Sequence, residues 1–372
     1  AMESRGLGDV YKRQVFMDKD FKNELLTLLP EGAELRAADR THKFPRIVYP
    51  RCERQFIPTA EALRSFEVFC QWHRASNTTV LLGYDDDMQL VMVDIVEIPH
   101  LLILGTTKSG KGVATHNILL SVLLRSPPDE VQLIRIDPKK TEFKVYDSLP
   151  HMLGPRATEV DDAFARLDWL VEESDRRQAL FAEQDIHNIQ GWNRRHKNNQ
   201  MPLIFVVFDE LTKFHELIKN SVEKDSEQRR LITRLNGQLI NLVTSARSAG
   251  IHLILVTQNA KDTIPGKLIS ELYGRLYFKI KKYAAQSSDA DKGDLDQVEY
   301  LPGMGAGLWL FDGTSTLLQA PSIIHPEDEL PPLVAGIRQR YSGFEQPPDP
   351  FSEGEVRFDD NEIRLASDDP LY

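Results

Sequence analysis

The sequence predicts an α/β fold, a mostly parallel sheet with helices on both faces, and three observations carry that prediction. Short runs such as "HLLILG", "VQLIRID", "LIFVVFDE", "IHLILVTQ" and "RLYFKI" are apolar throughout and end in glycine, aspartate or other polar residues. That is the pattern of strands buried on both faces. Helix-period stretches separate the runs: in "EVDDAFARLDWLVEESDRR", Val160, Phe164, Leu167 and Val171 fall on one face at spacings of three and four. Finally, "HLLIL" runs directly into a glycine-rich turn and then the helical "VATHNILLSVLL". Alternation of strand and helix places the α/β domain at about 78–325.

The rest of the chain divides around that domain. Residues 1–14, "AMESRGLGDVYKRQ", follow no period and read as a remnant of expression or sequence assembly, outside the fold. Residues 15–77 are a mixed N-terminal appendage, in which "FKNELLTLL" and "TAEALRSFEVFCQW" suit amphipathic helices packed as an arm on the main domain. "TTVLLGYDDDMQLVMVDI" alternates apolar and polar residues around an Asp-rich turn and reads as a hairpin. Residues 326–372 form an acidic, Pro-rich tail, with one short helix expected near 331–341 followed by a disordered or partner-bound segment.

Composition excludes several classes. The 372 residues carry a net charge of −11 with 41% hydrophobic and 27% charged residues, within the globular range. No apolar run reaches the roughly 18 residues needed to span a bilayer. The chain is therefore expected to be cytoplasmic, reaching a membrane only through a partner. Cys52 and Cys70 make no metal pattern and read as reduced thiols. From Pro321 onward twelve acidic residues face four arginines, a charge of −8, which leaves only −3 for everything before it. Local basic patches are thus compatible with the acidic total.

"GTTKSGKG", residues 105–112, is a phosphate loop by construction. Gly105 and Gly110 permit backbone angles that side chains forbid, so successive N–H groups can surround a triphosphate. The helix that follows adds its positive end, and Lys111 supplies a full charge to the β- and γ-phosphates. Lys108 adds further positive charge. Gly112 is the departure: a hydroxyl normally stands there to coordinate Mg²⁺. Water can take that coordination position, so nucleotide binding should survive while metal affinity and turnover fall. Ser109 and Thr115 are nearby hydroxyls in other places. The candidate nucleotide-binding residues are Gly105, Thr106, Thr107, Lys108, Ser109, Gly110, Lys111, Gly112 and Val113.

Two further strand ends carry polar groups. "PLIFVVFDEL" ends in Asp209, suited to hold Mg²⁺, and Glu210, suited to orient and deprotonate an attacking water. Burying two carboxylates there demands a cation nearby. "GIHLILVTQN" ends in Gln258, which could contact the γ-phosphate or the lytic water.

With these segments in place, residues 80–322 resemble the FtsK/SpoIIIE family of DNA-translocating ATPases. The resemblance is carried in order by "LLGYDDDMQLVMVDIVEIPHLLILGTTKSGKG", "IDPKKTEFKVYDSLPHMLGPRATEVDDAFARLDWLVEESDRR", "FVVFDEL", "ARSAGIHLILVTQ", "GRLYFKI" and "LPGMGAGLWLF". It implies a RecA-like P-loop NTPase that uses ATP and Mg²⁺, built as a homohexameric ring around double-stranded DNA. Each site would borrow an arginine from the neighbouring subunit, for which Arg247 and Arg275 are both candidates. Pore loops would hold phosphates without reading bases. Lys219, Lys224, Arg229 and Arg230 in one loop region, and Lys279, Lys281 and Lys282 in another, are the candidate DNA contacts.

Three features depart from the family pattern: Gly112, the missing basic residue after the glutamine in "TQNAKDTIPG", and the lack of a segment like the winged-helix DNA-reading domain. The expectation is a motor part alone, or a mobile-element relative guided by a membrane, recombination or conjugation partner. Two other readings stay open: a coupling ATPase for conjugation or type VII-like protein secretion, and a nucleotide-binding ring that hydrolyses weakly because of Gly112.

Overall fold

The computed structural model describes residues 34–36, 46–48, 57–86, 88–281, 284 and 295–352. The chain forms two compact units, Ala1–Gln55 and Phe56–Tyr372. In the first, the described residues are strands β1 (Glu34–Arg36) and β2 (Arg46–Val48), paired antiparallel.

The second unit is built on one nine-stranded mixed sheet, from β3 (Thr79–Tyr84), β4 (Leu90–Asp94), β5 (His100–Leu104), β6 (Val131–Ile136), β7 (Leu203–Phe208), β8 (Ile251–Thr257), β9 (Gly274–Phe278), β10 (Ala306–Phe311) and β11 (Thr314–Gln319). Their order is β4-β3-β11-β10-β9-β5-β8-β7-β6. The five apolar runs are β9, β5, β8, β7 and β6, all mutually parallel. They form the RecA-like core. On the β9 side the sheet continues antiparallel through β10, β11, β3 and β4. The predicted hairpin at 78–95 is β3 and β4, with a register shift between Leu81 and Gly83. β11 was not foreseen: "TSTLLQ" is exposed at Thr314 and Ser315, fully buries only Leu318 and lacks a continuous apolar run.

Both faces of the parallel strands are covered, which is why their sequences lack a polar side. In β5, Leu102 and Leu104 face one apolar core, and Leu101 and Ile103 face the other. The first core is completed by helices α3 (Val160–Glu183), α5 (Leu211–Ser221) and α6 (Asp225–Ser245). The second is completed by α1 (Thr59–His73), α2 (Lys111–Arg125) and α7 (Pro326–Arg340). A short α4 (Ile189–Arg195) packs separately with Phe181 and Met201.

Two segments expected outside the motor domain contribute to it. Helix α1 buries Ala62, Leu63, Phe66 and Cys70 in the second core, and Thr59 Oγ1 donates to Asn117 of α2 at 2.8 Å. The domain's compact unit therefore begins near residue 56 and not at 78. The helix expected at 331–341 spans Pro326–Arg340 and buries Leu330, Val334 and Ile337. Beyond it the backbone stays packed: Gln346 donates to the Asp147 and Leu149 carbonyls, and Phe351 lies under the Arg166 guanidinium, 4.3 Å from ring centroid to charge. The described tail is thus tied to the domain at Gln346 and Phe351, while Phe344 stays exposed.

Candidate active site

Parallel strands deliver their C-terminal ends to one edge, and that edge assembles the site. β8 lies between β5, which leads into the glycine-rich turn, and β7, which leads into the acidic pair. Gln258, just past β8, is consequently held against Glu210 and Thr107.

The turn is fixed by its own backbone. Gly105 N donates to Thr257 O at 3.3 Å, Thr106 N to Lys279 O at 3.0 Å, and Ser109 N to Thr106 O at 3.2 Å. Thr106 Oγ1 also donates to Lys279 O at 3.0 Å. A side chain on Gly105 would meet Ser109 Oγ at 2.4 Å, and Gly110 has φ +109°. Among the described residues, the amides of Thr107, Lys108 and Gly110 donate to no intramolecular acceptor. Three neighbouring amides left free beside a helix N-terminus make an anion cradle. Val113 and Gly112 belong to the first turn of α2, whose start is at Lys111. Thr115 Oγ1 is taken up by the Lys111 carbonyl at 3.0 Å.

The charged groups converge at its mouth. Lys111, Asp209 and Glu210 are 6%, 4% and 3% exposed. Lys111 Nζ is 2.9 Å from Glu210 Oε2. Gln258 donates to Glu210 twice, from N at 3.1 Å and from Nε2 at 2.7 Å, and Thr107 Oγ1 donates to Gln258 Oε1 at 3.3 Å. Glu210 itself adopts φ +55°, a left-handed conformation that a non-glycine residue holds at an energetic cost. Burial pushes the Glu210 carboxyl up, but Lys111, Gln258 and Lys139 together hold it below its usual value. Asp209 responds differently: burial pushes it up to about 6, only partly opposed by Lys139 and Lys111.

Lys139 was missed in the sequence reading. Its Nζ lies 3.2 Å from Asp209 Oδ2 and 3.4 Å from Glu210 Oε2. Burial lowers its pKa, yet the two carboxylates raise it more. It stands past the end of β6, in "IDPKK", so the strand-end rule that selected Asp209 and Gln258 applied equally there. Asp137 fixes this turn: its carboxylate accepts from the Lys139, Lys140 and Phe143 amides and pairs with Arg156 at 3.2 Å. The loop Gly303–Gly305 was also missed. Gly305 N donates to Ser109 O at 2.8 Å, and a Cβ on Gly110 would lie 2.4 Å from Gly305 Cα.

The remaining candidates lie elsewhere. Arg275 lies inside the domain. It is 7% exposed and donates from Nε to Leu272 O at 2.8 Å and from Nη2 to Ile269 O at 3.0 Å, so it caps the preceding helical turn. Arg247 is exposed, on the loop before β8 at the opposite edge of the sheet, within electrostatic reach of His100 and His252. Lys219, Lys224, Arg229 and Arg230 are exposed on the end of α5 and the start of α6. Lys279 borders the phosphate loop, its stem 3.8 Å from where a Gly303 side chain would begin. Lys281 is exposed, and Lys282 lies outside the described residues.

The donors fit a nucleotide-dependent magnesium ion. Among the described residues no group of three or more His, Cys, Asp or Glu could hold a metal alone. Asp209 offers a buried carboxylate whose Oδ2 accepts no hydrogen bond, which suits a metal that brings phosphate and water oxygens with it. Among the described residues no helix is long and apolar enough to cross a membrane.

Comparison with known proteins gives the chain's family and fold. A model of the FtsK/SpoIIIE family matches residues 64–262. The chain is similar to the DNA translocase FtsK of Pseudomonas putida, 32% identical over 310 residues, covering 76% of this chain and 35% of that protein. It is likewise similar to the DNA translocase FtsK of Pseudomonas syringae pv. tomato, 30% identical over 343 residues, covering 83% of this chain and 40% of that protein. The chain thus spans well under half the length of these relatives. Among solved structures, the pCW3 conjugation coupling protein TcpA, in a monomer form with ATPγS, superposes with a TM-score of 0.62 at 20% identity, covering 86% of this chain and 85% of that one. EssC (ATPases 2 and 3) from Geobacillus thermodenitrificans superposes at 0.59 and 16% identity, covering 78% and 54%. These likenesses establish a P-loop ATPase fold.

Proposed function

This chain belongs to the FtsK/SpoIIIE family, and on that premise we propose that it is the motor of an ATP-driven double-stranded DNA translocase. The observation that carries the reading is the convergence of Lys111, Glu210 and Gln258 at 2.7–2.9 Å beside three free loop amides. The amides and Lys111 grip the phosphates. Glu210 aligns water and takes its proton, with Gln258 holding the carboxylate. Asp209 would hold Mg²⁺, which when bound neutralises charge between the β- and γ-phosphates.

Arg247 remains the candidate arginine offered to a neighbouring subunit of a homohexamer. Lys219, Lys224, Arg229 and Arg230, exposed at the end of α5 and the start of α6, are the candidate contacts to a DNA backbone. We place the motor in the cytoplasm, meeting any membrane through a partner.

Phosphate release with and without long duplex DNA tests this reading. Strong stimulation by duplex DNA is expected. Stimulation only by a protein partner would replace it with a coupling ATPase, and tight ATP binding without release would replace it with a weakly hydrolysing ring.

A further inference from the structure

We propose that Glu142 is the magnesium ligand that stands in for the hydroxyl missing at Gly112; this rests on the nucleotide-binding reading above. The nearest atom to a side chain built at Gly112 is Glu142 Oε2, at 3.7 Å, with nothing else within 4 Å. The space a serine would occupy is thus faced by a carboxylate oxygen, the donor type that magnesium prefers.

Glu142 is aimed there by two supports. Asp137 ties down the turn that carries it. His116 lies four residues beyond Gly112 on α2, and therefore on the same helix face. Its Nδ1 is 2.8 Å from the Tyr146 hydroxyl and its Nε2 is 3.8 Å from Glu142 Oε2. Nδ1 is thus engaged by the Tyr146 hydroxyl, which burial keeps a phenol. That leaves Nε2 as the ring nitrogen facing Glu142. A histidine in this position, 4% exposed inside the core, would otherwise be an expensive choice. The Glu142 side chain is 37% exposed, so it remains open to an incoming ligand. It lies within electrostatic reach of Lys111, Lys139 and Asp209, and so shares the field of the expected metal position. A divalent cation would relieve the repulsion between Glu142 and Asp209.

Binding of Mn²⁺, followed by electron paramagnetic resonance in the presence of a non-hydrolysable β,γ-imido ATP analogue, tests the assignment. Four chains are compared: unmodified, Glu142→Gln, Gly112→Ser and the double variant. Glu142→Gln is expected to weaken Mn²⁺ at least about tenfold, with analogue affinity in excess EDTA unchanged. Adding Gly112→Ser is expected to restore most of that loss, because the serine hydroxyl takes the vacated role. Mn²⁺ affinity within about twofold in Glu142→Gln, or a double variant as weak as Glu142→Gln alone, overturns the assignment. An unmodified chain that binds no analogue in either condition overturns the nucleotide reading together with it.

Discussion

Lys111 Nζ and Glu210 Oε2 stand 2.9 Å apart although 99 residues separate them in sequence. The residue expected to grip phosphate and the residue expected to activate water are each other's counter-ions in this state. An incoming γ-phosphate must take Lys111 from Glu210, which frees the carboxylate for its proton-accepting role. Nucleotide arrival and base activation are in this way one electrostatic exchange.

Lys111→Ala should weaken ATP-analogue binding by about 10–100-fold, the worth of one lost hydrogen bond to a charged group. Equilibrium titration measures it. Unchanged affinity would show that the loop does not hold phosphate.

Asp209 gives a pH signature. Its folded pKa, pushed by burial to about 6, lies above the ordinary value of 3.8. Folding therefore favours the protonated form. That contribution is fully present below about pH 4 and is lost as pH rises through about 6. Asp209→Asn should accordingly stabilise the nucleotide-free chain at pH 8 by roughly 2–3 kcal/mol, with the gain vanishing near pH 4. Melting temperatures across that range check the sign.

Gly110 and Gly112 should respond oppositely to substitution. Gly110→Ala forces a Cβ to 2.4 Å from Gly305 Cα at φ +109°, and is expected to destabilise the fold by at least about 2 kcal/mol. Gly112→Ser meets its first atom at 3.7 Å and should stay within about 0.5 kcal/mol of the unmodified chain. Chemical denaturation of both variants distinguishes them.

Much of this was legible in the sequence because the parallel strands are buried on both sides and so announce themselves as continuous apolar runs. Their polar ends mark the site edge, which is how Asp209, Glu210 and Gln258 were selected and why the structure brings them to Lys111. The same signal at the end of β6 went unread, and Lys139 with it. The surroundings of Arg275 were not legible for a different reason. A sequence shows that an arginine is present but not that its guanidinium turns back to cap the Leu272 and Ile269 carbonyls. β11 escaped because it is only partly buried and carries no continuous apolar run, and α1 was set outside the domain because nothing in its own period says which core it joins.

The most direct measurement is nucleotide affinity and phosphate release in the same samples of the unmodified chain and Glu210→Gln. The account expects analogue affinity equal to or tighter than that of the unmodified chain, since Lys111 is released from its carboxylate partner, with phosphate release lowered about 10²–10⁴-fold. Release at the unmodified rate in Glu210→Gln would contradict the assignment of Glu210 as the base, and with it the reading of this site as a motor's active centre.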